Sequence, residues 1–503
     1  MMKTIPTGAT FLAFLLSATV AFAEGGYYSG TLGARAAGRG GADVVSASDV
    51  TAVSANPAGL SRLDSTVVQV GNVFSYNAYE FTREARDPSS GDPQKENTLG
   101  KVKNGTPWQG LDPFVGFASH LGHPDWAFAL AAYAPPGIAK LEFPQDGGQR
   151  YMMVSREAMI LKYVASAAWK YHDIFGVGAT AEWIHVPRLR YSLVIDGSVT
   201  AGAANPISSG YDILATANGS SLFTFNAVLG AWYRPVPFLE FGASGQVVPA
   251  NVVASSSLTV DPLDKTTLPR VDLTRNGAKA NDVTVTLPLP MLFRSGVRYR
   301  HLAGNREVFD LELDVEYETW SRVNQFTIQT NGLQAKSPVD PGPINLNTIT
   351  IDKHWRDTVA VRLGGDYAVI PSRLTLRAGG YYESAVADGA YADVDFPSGA
   401  QIGGALGASI FFGRWEVAFA YHLRVQPSVY SSERNARVYQ QVPGSKCVAD
   451  DSGNARDANG NQLPYTNPDA CNQNYLGQPS PAINAGTYSA MSHSWAIDVL
   501  YRH

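Results

Sequence analysis

Cysteine is almost absent from this 503-residue chain, which has two, Cys447 and Cys471. That excludes a disulfide-stapled scaffold and a cysteine-rich metal centre. Long apolar runs are missing as well. Beyond the first two dozen residues there is no uninterrupted stretch of about 18 apolar side chains, so no helical span is expected and a membrane location requires a closed barrel. Charge is sparse, at 17% of residues with a net −5, and no basic cluster of the kind that binds nucleic acid occurs. The nine histidines are scattered, with His120, His123 and His172 near turn residues and His493 and His503 near the end. No H-x-x-H spacing and no nucleophile elbow appears. Gly38-x-Gly40 lacks both the third glycine and the βαβ surroundings of a dinucleotide site. The sequence therefore offers no catalytic set, no metal site and no cofactor fingerprint.

What is present begins with residues 1–23, where Lys3 precedes an apolar run from Phe11 to Phe22 that ends in Ala21-Phe22-Ala23. This is the pattern of a secretory signal peptide, with the mature chain starting at Glu24. Next comes Ser29 to Leu63, rich in Gly, Ala and Ser, without an aromatic residue and without a period of 2 or 3.6. Gly38, Gly40 and Gly41 permit close backbone approach, and Asn56-Pro57-Ala58-Gly59 is turn chemistry. Residues 24–64 read as a compact plug for something narrow, and a flexible N-terminal arm is the other reading of the same composition.

From 66 onward, short alternating segments recur between turn residues, about fourteen of them, ending with 489–503. An even count suits a bacterial outer-membrane barrel. Composition agrees, with 11% aromatics, 48 Gly and 24 Tyr. The connections carry more information than the segments. Short ones (His123-Pro124, His172-Asp173, Pro235 to Pro237, His301 to Arg306, Ile370 to Ser372, Gly413) alternate with long ones (83–112, 135–152, 195–220, 261–283, 330–346, 385–400, 431–488). Short periplasmic turns and long extracellular loops produce that parity, whereas a soluble β-sandwich has no reason for it. The expected fold is all-β: a membrane-spanning antiparallel barrel over 65–503, plugged by 24–64.

Within 309–319, Phe309, Leu311, Leu313, Val315 and Tyr317 fall on one face and Asp310, Glu312, Asp314, Glu316 and Glu318 on the other. Charge facing lipid is costly, so the acidic face is expected to look into the lumen. Arg294, Arg298 and Arg300 before it, and Arg356 and Arg362 after it, predict an ion-pair ladder across three neighbouring strands. It neutralises charge inside a narrow wall, or it selects among solutes. The small residues Ala127, Ala129 and Ala131 opposite Trp126, Phe128 and Leu130 imply a lumen filled by something bulky.

These residues together resemble the FadL/TodX family of outer-membrane transporters for long-chain fatty acids and aromatic hydrocarbons. Gly38-Arg39-Gly40-Gly41-Ala42 and Asn56-Pro57-Ala58-Gly59-Leu60 match that family's hatch. Leu287-Pro288-Leu289-Pro290-Met291, Asp314 to Trp320-Ser321, and Arg362 to Tyr367 resemble successive strands. The resemblance implies an apolar pocket inside a fourteen-stranded barrel, a hatch that shifts, with Asn56, Pro57, Ala58 and Gly59 in it, and sideways exit through the wall at the third strand. By that analogy the opening falls near Trp126, Phe128 and Tyr133. A lipid-like solute gains about 0.8 kcal/mol per CH₂ in an apolar pocket, and a lateral exit keeps that gain by avoiding water.

The longest loop, 431–488, departs from the family. Cys447 and Cys471 within it are expected to form a disulfide in an oxidising compartment, two free thiols being the alternative. Asp450, Asp451 and Asp457 to Asn461 are oxygen-rich, but no Glu closes a calcium loop there, and a solvated turn accounts for them. The expected function is passive uptake of hydrophobic small molecules by a monomer in the Gram-negative outer membrane, its partners being the solute and lipid. A general porin or structural barrel passing polar solutes is the alternative, and a barrel enzyme lacks any candidate residues.

Overall fold

The computed structural model of the chain describes residues 31–86, 93–94, 100–137, 140–195, 212–266, 271–304, 306–336, 344–346, 348–396, 398–432, 435–438, 448–449, 455–456 and 482–503. The leader, both cysteines and Asp450, Asp451 and Asp457 to Asn461 lie outside these described residues.

Fourteen antiparallel strands form the wall. They are β1 (Val67–Arg83), β2 (Trp108–Ser119), β3 (Trp126–Tyr133), β4 (Ser155–Tyr171), β5 (Phe175–Ile195) and β6 (Ile213–Val236). Then come β7 (Leu239–Gln246 and Asn251–Pro262), β8 (Asp282–Pro288 and Leu292–Ala303), β9 (Arg306–Glu318 and Gln325–Gln329) and β10 (Ile349–Asp352 and Thr358–Ile370). The wall ends with β11 (Leu374–Glu383), β12 (Gln401–Phe412), β13 (Trp415–Ser431) and β14 (Gly486–Arg502). Each strand pairs with the next, and β14 pairs with β1 from Val67↔Arg502 to Arg83↔Gly486, which closes the ring. Closure leaves no unpaired edge, the condition for spanning a bilayer with strands.

The alternation in sequence becomes an inside and an outside. On β9, Leu311, Leu313 and Val315 face outward and are more than 40% exposed, while Glu312 and Asp314 are fully buried. Outward aromatics cluster toward the short turns: Trp126, Tyr171, Tyr233, Phe238, Tyr299, Phe412 and Trp415 are all at least 44% exposed. An aromatic girdle of this kind sits at a membrane–water interface.

Strands β7 to β10 were expected to be continuous and are instead broken in two. The breaks fall at 247–250, 289–291, 319–324 and 353–357. Pro249 and Pro290 lack the N–H that a ladder needs, so β7 and β8 cannot run through. Trp320–Arg322 forms a short 3-10 turn between the two parts of β9. The upper segments still pair with one another, through Ala254↔Val285 and Val285↔Ile328. They frame the extracellular half of the lumen.

Residues 31–63 occupy the other half. They form α1 (Ala34–Gly38), α2 (Ala52–Ala55) and a 3-10 turn (Pro57–Arg62), all too short to be stable alone. Val50, Val53, Leu60 and Leu63 pack against Phe114 on β2, Ala127, Ala129 and Ala131 on β3, and Val164 and Ala168 on β4. Ala34 and Ala37 pack on Ala418 and Ala420 of β13. The luminal alanines leave room for this segment.

Candidate functional site

The glycines of 38–41 lie against a glycine-rich patch of wall. Gly40 has φ +67°, and a Cβ there would stand 2.9 Å from the Gly380 backbone nitrogen. Neither the dihedral nor the gap admits another residue. Gly38 meets Gly407, and Gly41 lies beside Arg362, whose Nη1 donates to the Gly40 carbonyl at 3.1 Å. Close backbone approach on both sides carries Arg39 into the acidic face.

The ladder across β8, β9 and β10 follows the strand register only in part. In register, Arg298 of β8 faces Glu312 and Asp314 faces Arg362. The Arg298 guanidinium turns instead to Asp310 at 2.5 Å and to Glu240 of β7 at 3.1 Å. Arg294 and Arg362 both bind Glu316, at 2.8 and 2.9 Å, and Arg362 also reaches Glu383 at 2.7 Å. Glu312 and Asp314 are left for the N-terminal segment. Arg39 pairs with Glu312 at 2.9 Å, Asp310 at 2.9 Å and Asp366 of β10 at 2.7 Å. The Val45 and Ser46 N–H groups donate to Glu312, and Val44 N–H donates to Asp314. Arg356 takes no part in this ladder. It is exposed in the link within β10, its N–H donating to the Val386 carbonyl.

Arg39 is the residue that sequence reasoning missed. Counting charges along the wall did not point to it, since Arg294, Arg298, Arg300 and Arg362 all turn inward and are taken up by acids of β7 and β9. Asp43 lies nearby and is buried. Burial pushes its carboxyl up to about 7, with Arg294 opposing the shift and Glu312 and Glu316 adding to it.

At the far end of the segment, the Asn56 side chain donates to the carbonyls of Val44 at 2.8 Å and of Ala231 on β6 at 3.0 Å. Its Oδ1 accepts from Ala58 N–H, capping the 3-10 turn in which Pro57, Ala58 and Gly59 lie. Gly178 on β5 and Gly230 on β6 leave space for Asn56 and Pro57, since a Cβ at Gly230 would stand 2.1 Å from Asn56 Oδ1. Trp232 Nε1 donates to the Ala58 carbonyl at 3.1 Å, and Arg62 stacks on the Trp232 ring. Asn56→Ala removes the donor from one buried and one partly buried carbonyl and removes a cap, so it should weaken seating of the segment by about 2–3 kcal/mol. Limited proteolysis of the folded barrel checks this, with cleavage inside 31–63 rising at least tenfold.

Two cavities stack along the lumen. The upper one is lined mainly by apolar side chains of β4 to β9, among them Ile160, Val186, Val252, Val285 and Ile328. The lower one has a lining of mixed polarity and rests on Thr51, Ser54 and Asp43 of the N-terminal segment. Successive inward positions of β4 connect them: Ala158 and Ile160 line the upper, Lys162 the lower. Lys162 is held by Glu182 at 3.0 Å, which also accepts from Asn226 and Tyr133.

The lower cavity reaches the wall at Tyr133, Pro135 and Pro136. Trp126–Tyr133 of β3 is paired along its length to β4, from Lys162 to Trp169, and over Phe128–Tyr133 also to β2, from Phe114 to Ser119. Trp126 and Phe128 face outward and Tyr133 is buried inward. The ladder stops just beyond, because Pro135 and Pro136 have no N–H to give. Beta pairing on β4 resumes with Lys140↔Glu157. Gln109 of β2 bridges part of the interval with its side chain, accepting from Lys140 N–H and donating to its carbonyl.

A closed fourteen-stranded barrel with an apolar girdle, an internal apolar cavity and a lumen filled by its own N-terminal segment defines an outer-membrane transport barrel. The chain matches the family model described as outer membrane protein transport protein (OMPP1/FadL/TodX) over residues 14–445, and it belongs to that family. Its fold is similar to that of a Pseudomonas aeruginosa FadL homologue, at a TM-score of 0.72 and 16% identity, covering 95% of this chain and 99% of that one. The Ralstonia pickettii toluene transporter TbuX superposes with a TM-score of 0.57 at 15% identity, covering 94% and 98%. The P. putida toluene transporter TodX gives 0.58 at 14%, covering 94% and 99%. No curated protein matches the sequence.

Proposed function

We propose that this protein carries hydrophobic small molecules, alkyl or monoaromatic, passively into the outer membrane, with 31–63 as a hatch and the exit through the wall just past Tyr133. The observation that carries the reading is the stacked pair of cavities, apolar above and abutting the break at Pro135 and Pro136 below. A solute retained by burial in the upper cavity moves past Lys162 and Glu182 when the hatch shifts, and leaves sideways into lipid. Structurally similar barrels are toluene transporters, which suits a cavity with so apolar a lining.

Cells carrying the protein should accumulate labelled alkylbenzenes or long-chain fatty acids faster than cells lacking it, and equal rates would overturn the transport reading. Pro136 is buried at the rim of the lower cavity, so Pro136→Trp should fill the exit and lower uptake at least tenfold. The barrel should still migrate as folded on an unheated gel. Undiminished uptake by this variant would place the exit elsewhere.

A further inference from the structure

One residue of the upper cavity does not belong to the wall. Its lining comes from β4 to β10, or in the case of Leu289 from the link inside β8, except for Phe396. Phe396 ends Ser384–Phe396, a stretch of the β11–β12 connection that turns inward. Val386, Ala387, Ala392, Val394 and Phe396 in it are buried, as are Asp393 and Asp395.

This stretch starts at β11 and reaches β4 and β5, on the opposite side of a fourteen-stranded ring. Its outer part is tied to the end of the β13–β14 connection and to β14: Asn484 Nδ2 donates to the carbonyls of Ala390 and Ala392, and Tyr488 Oη donates to that of Ala392. Its inner part is held by Lys353, in the link of β10, whose Nζ lies 2.8 Å from Asp393 and 2.5 Å from Asp395. Lys353 is 1% exposed. The two carboxylates offset the cost of burying its ammonium group. On the far side, Arg156 of β4 donates its Nε to the Asp395 carbonyl, and Tyr191 of β5 donates to Asp395 Oδ2 at 3.3 Å. The Arg156 guanidinium lies 4.2 Å from the centre of the Phe396 ring. Phe326 and Trp355 meet the same ring edge-on, at 6.1 and 5.6 Å.

A strand residue in the lining cannot retreat without breaking ladder hydrogen bonds on both sides. Phe396 lies on no strand and is held by side-chain packing, by the Arg156 bond to the Asp395 carbonyl, and by the ion pairs of Asp393 and Asp395. We propose that Phe396, carried across the lumen on the Ala392–Phe396 strap and positioned by Lys353, determines the length of solute that the upper cavity accepts. This rests on the transport reading above. With the ring in place the cavity ends at Phe396. With it removed, the space extends toward Trp355 and Trp320, which pack behind the ring.

The test measures uptake of a series of n-alkylbenzenes of rising chain length by cells carrying wild type, Phe396→Leu, Phe396→Ala or Lys353→Met. Wild type should show a chain length beyond which uptake falls off. Phe396→Ala should move that limit to longer chains, with roughly fourfold better uptake for each methylene past the old limit. Phe396→Leu should fall between the two. Lys353→Met leaves the lining unchanged and frees the strap, so it should blur the limit in the same direction. An unchanged limit in Phe396→Ala, with uptake intact, overturns the proposal while leaving transport standing. An unchanged limit in Lys353→Met with a shifted one in Phe396→Ala removes the positioning role. No uptake of any member by wild type overturns the transport reading and this one with it.

Discussion

Arg39→Met should turn a sealed barrel into a conducting one. The side chain is buried, and its three carboxylate partners come from β9 and β10. Two of those partners keep a cation after the substitution: Asp310 retains Arg298, and Asp366 retains Arg377 at 3.1 Å. Glu312 keeps only the N–H groups of Val45 and Ser46. Removing one side of a buried ion pair costs about 3–5 kcal/mol, because the remaining charge stays desolvated. That cost falls on the seated position of the N-terminal segment alone, since the wall itself keeps its full ladder. The segment should then leave its seat, and planar bilayers should show steady ion conductance where the unaltered protein shows almost none. Adding Glu312→Gln to Arg39→Met removes the stranded charge, so the double variant should conduct less than the single one. If both variants are as tight as wild type, the ion pairs do not hold the seal.

Val285→Glu should abolish uptake of apolar solutes with little effect on the wall. Val285 sits on the upper segment of β8 between Ala254 and Ile328, and its side chain lines the apolar cavity. A carboxylate there holds water in a space that otherwise favours hydrocarbon. Displacing that water costs several kcal/mol, and each 1.4 kcal/mol or so is a factor of ten in retention. Uptake of alkylbenzenes should drop at least tenfold, and Val285→Met, which keeps the surface apolar, should retain most of it. Equal uptake by Val285→Glu and wild type would move the solute path away from this cavity.

Much of the wall was legible because a strand's two faces are a local property. Phe309 to Glu318 alternates with period 2, and only one assignment of faces keeps five carboxylates out of lipid. The parity of connection lengths survived folding for the same reason, as each turn is decided by a few neighbouring residues. Proline punctuation was legible too. Pro135 and Pro136 interrupt β3 after Tyr133 and leave Trp126–Tyr133 paired. Pro249 and Pro290 break β7 and β8, which alternation alone had run together.

By itself the sequence determined a ring of alternating strands with acids inward, aromatics outward and a small-residue segment ahead of them. Tertiary structure alone decided which cation meets which acid, where the lumen stays empty, and what crosses it. Arg39 meets Asp310 across 271 positions of chain, and Lys353 and Arg156 hold Asp395 from separate strands. Alternation fixes the direction in which a side chain points. Its partners are fixed only when the last strand closes on the first and brings opposite walls within reach of each other.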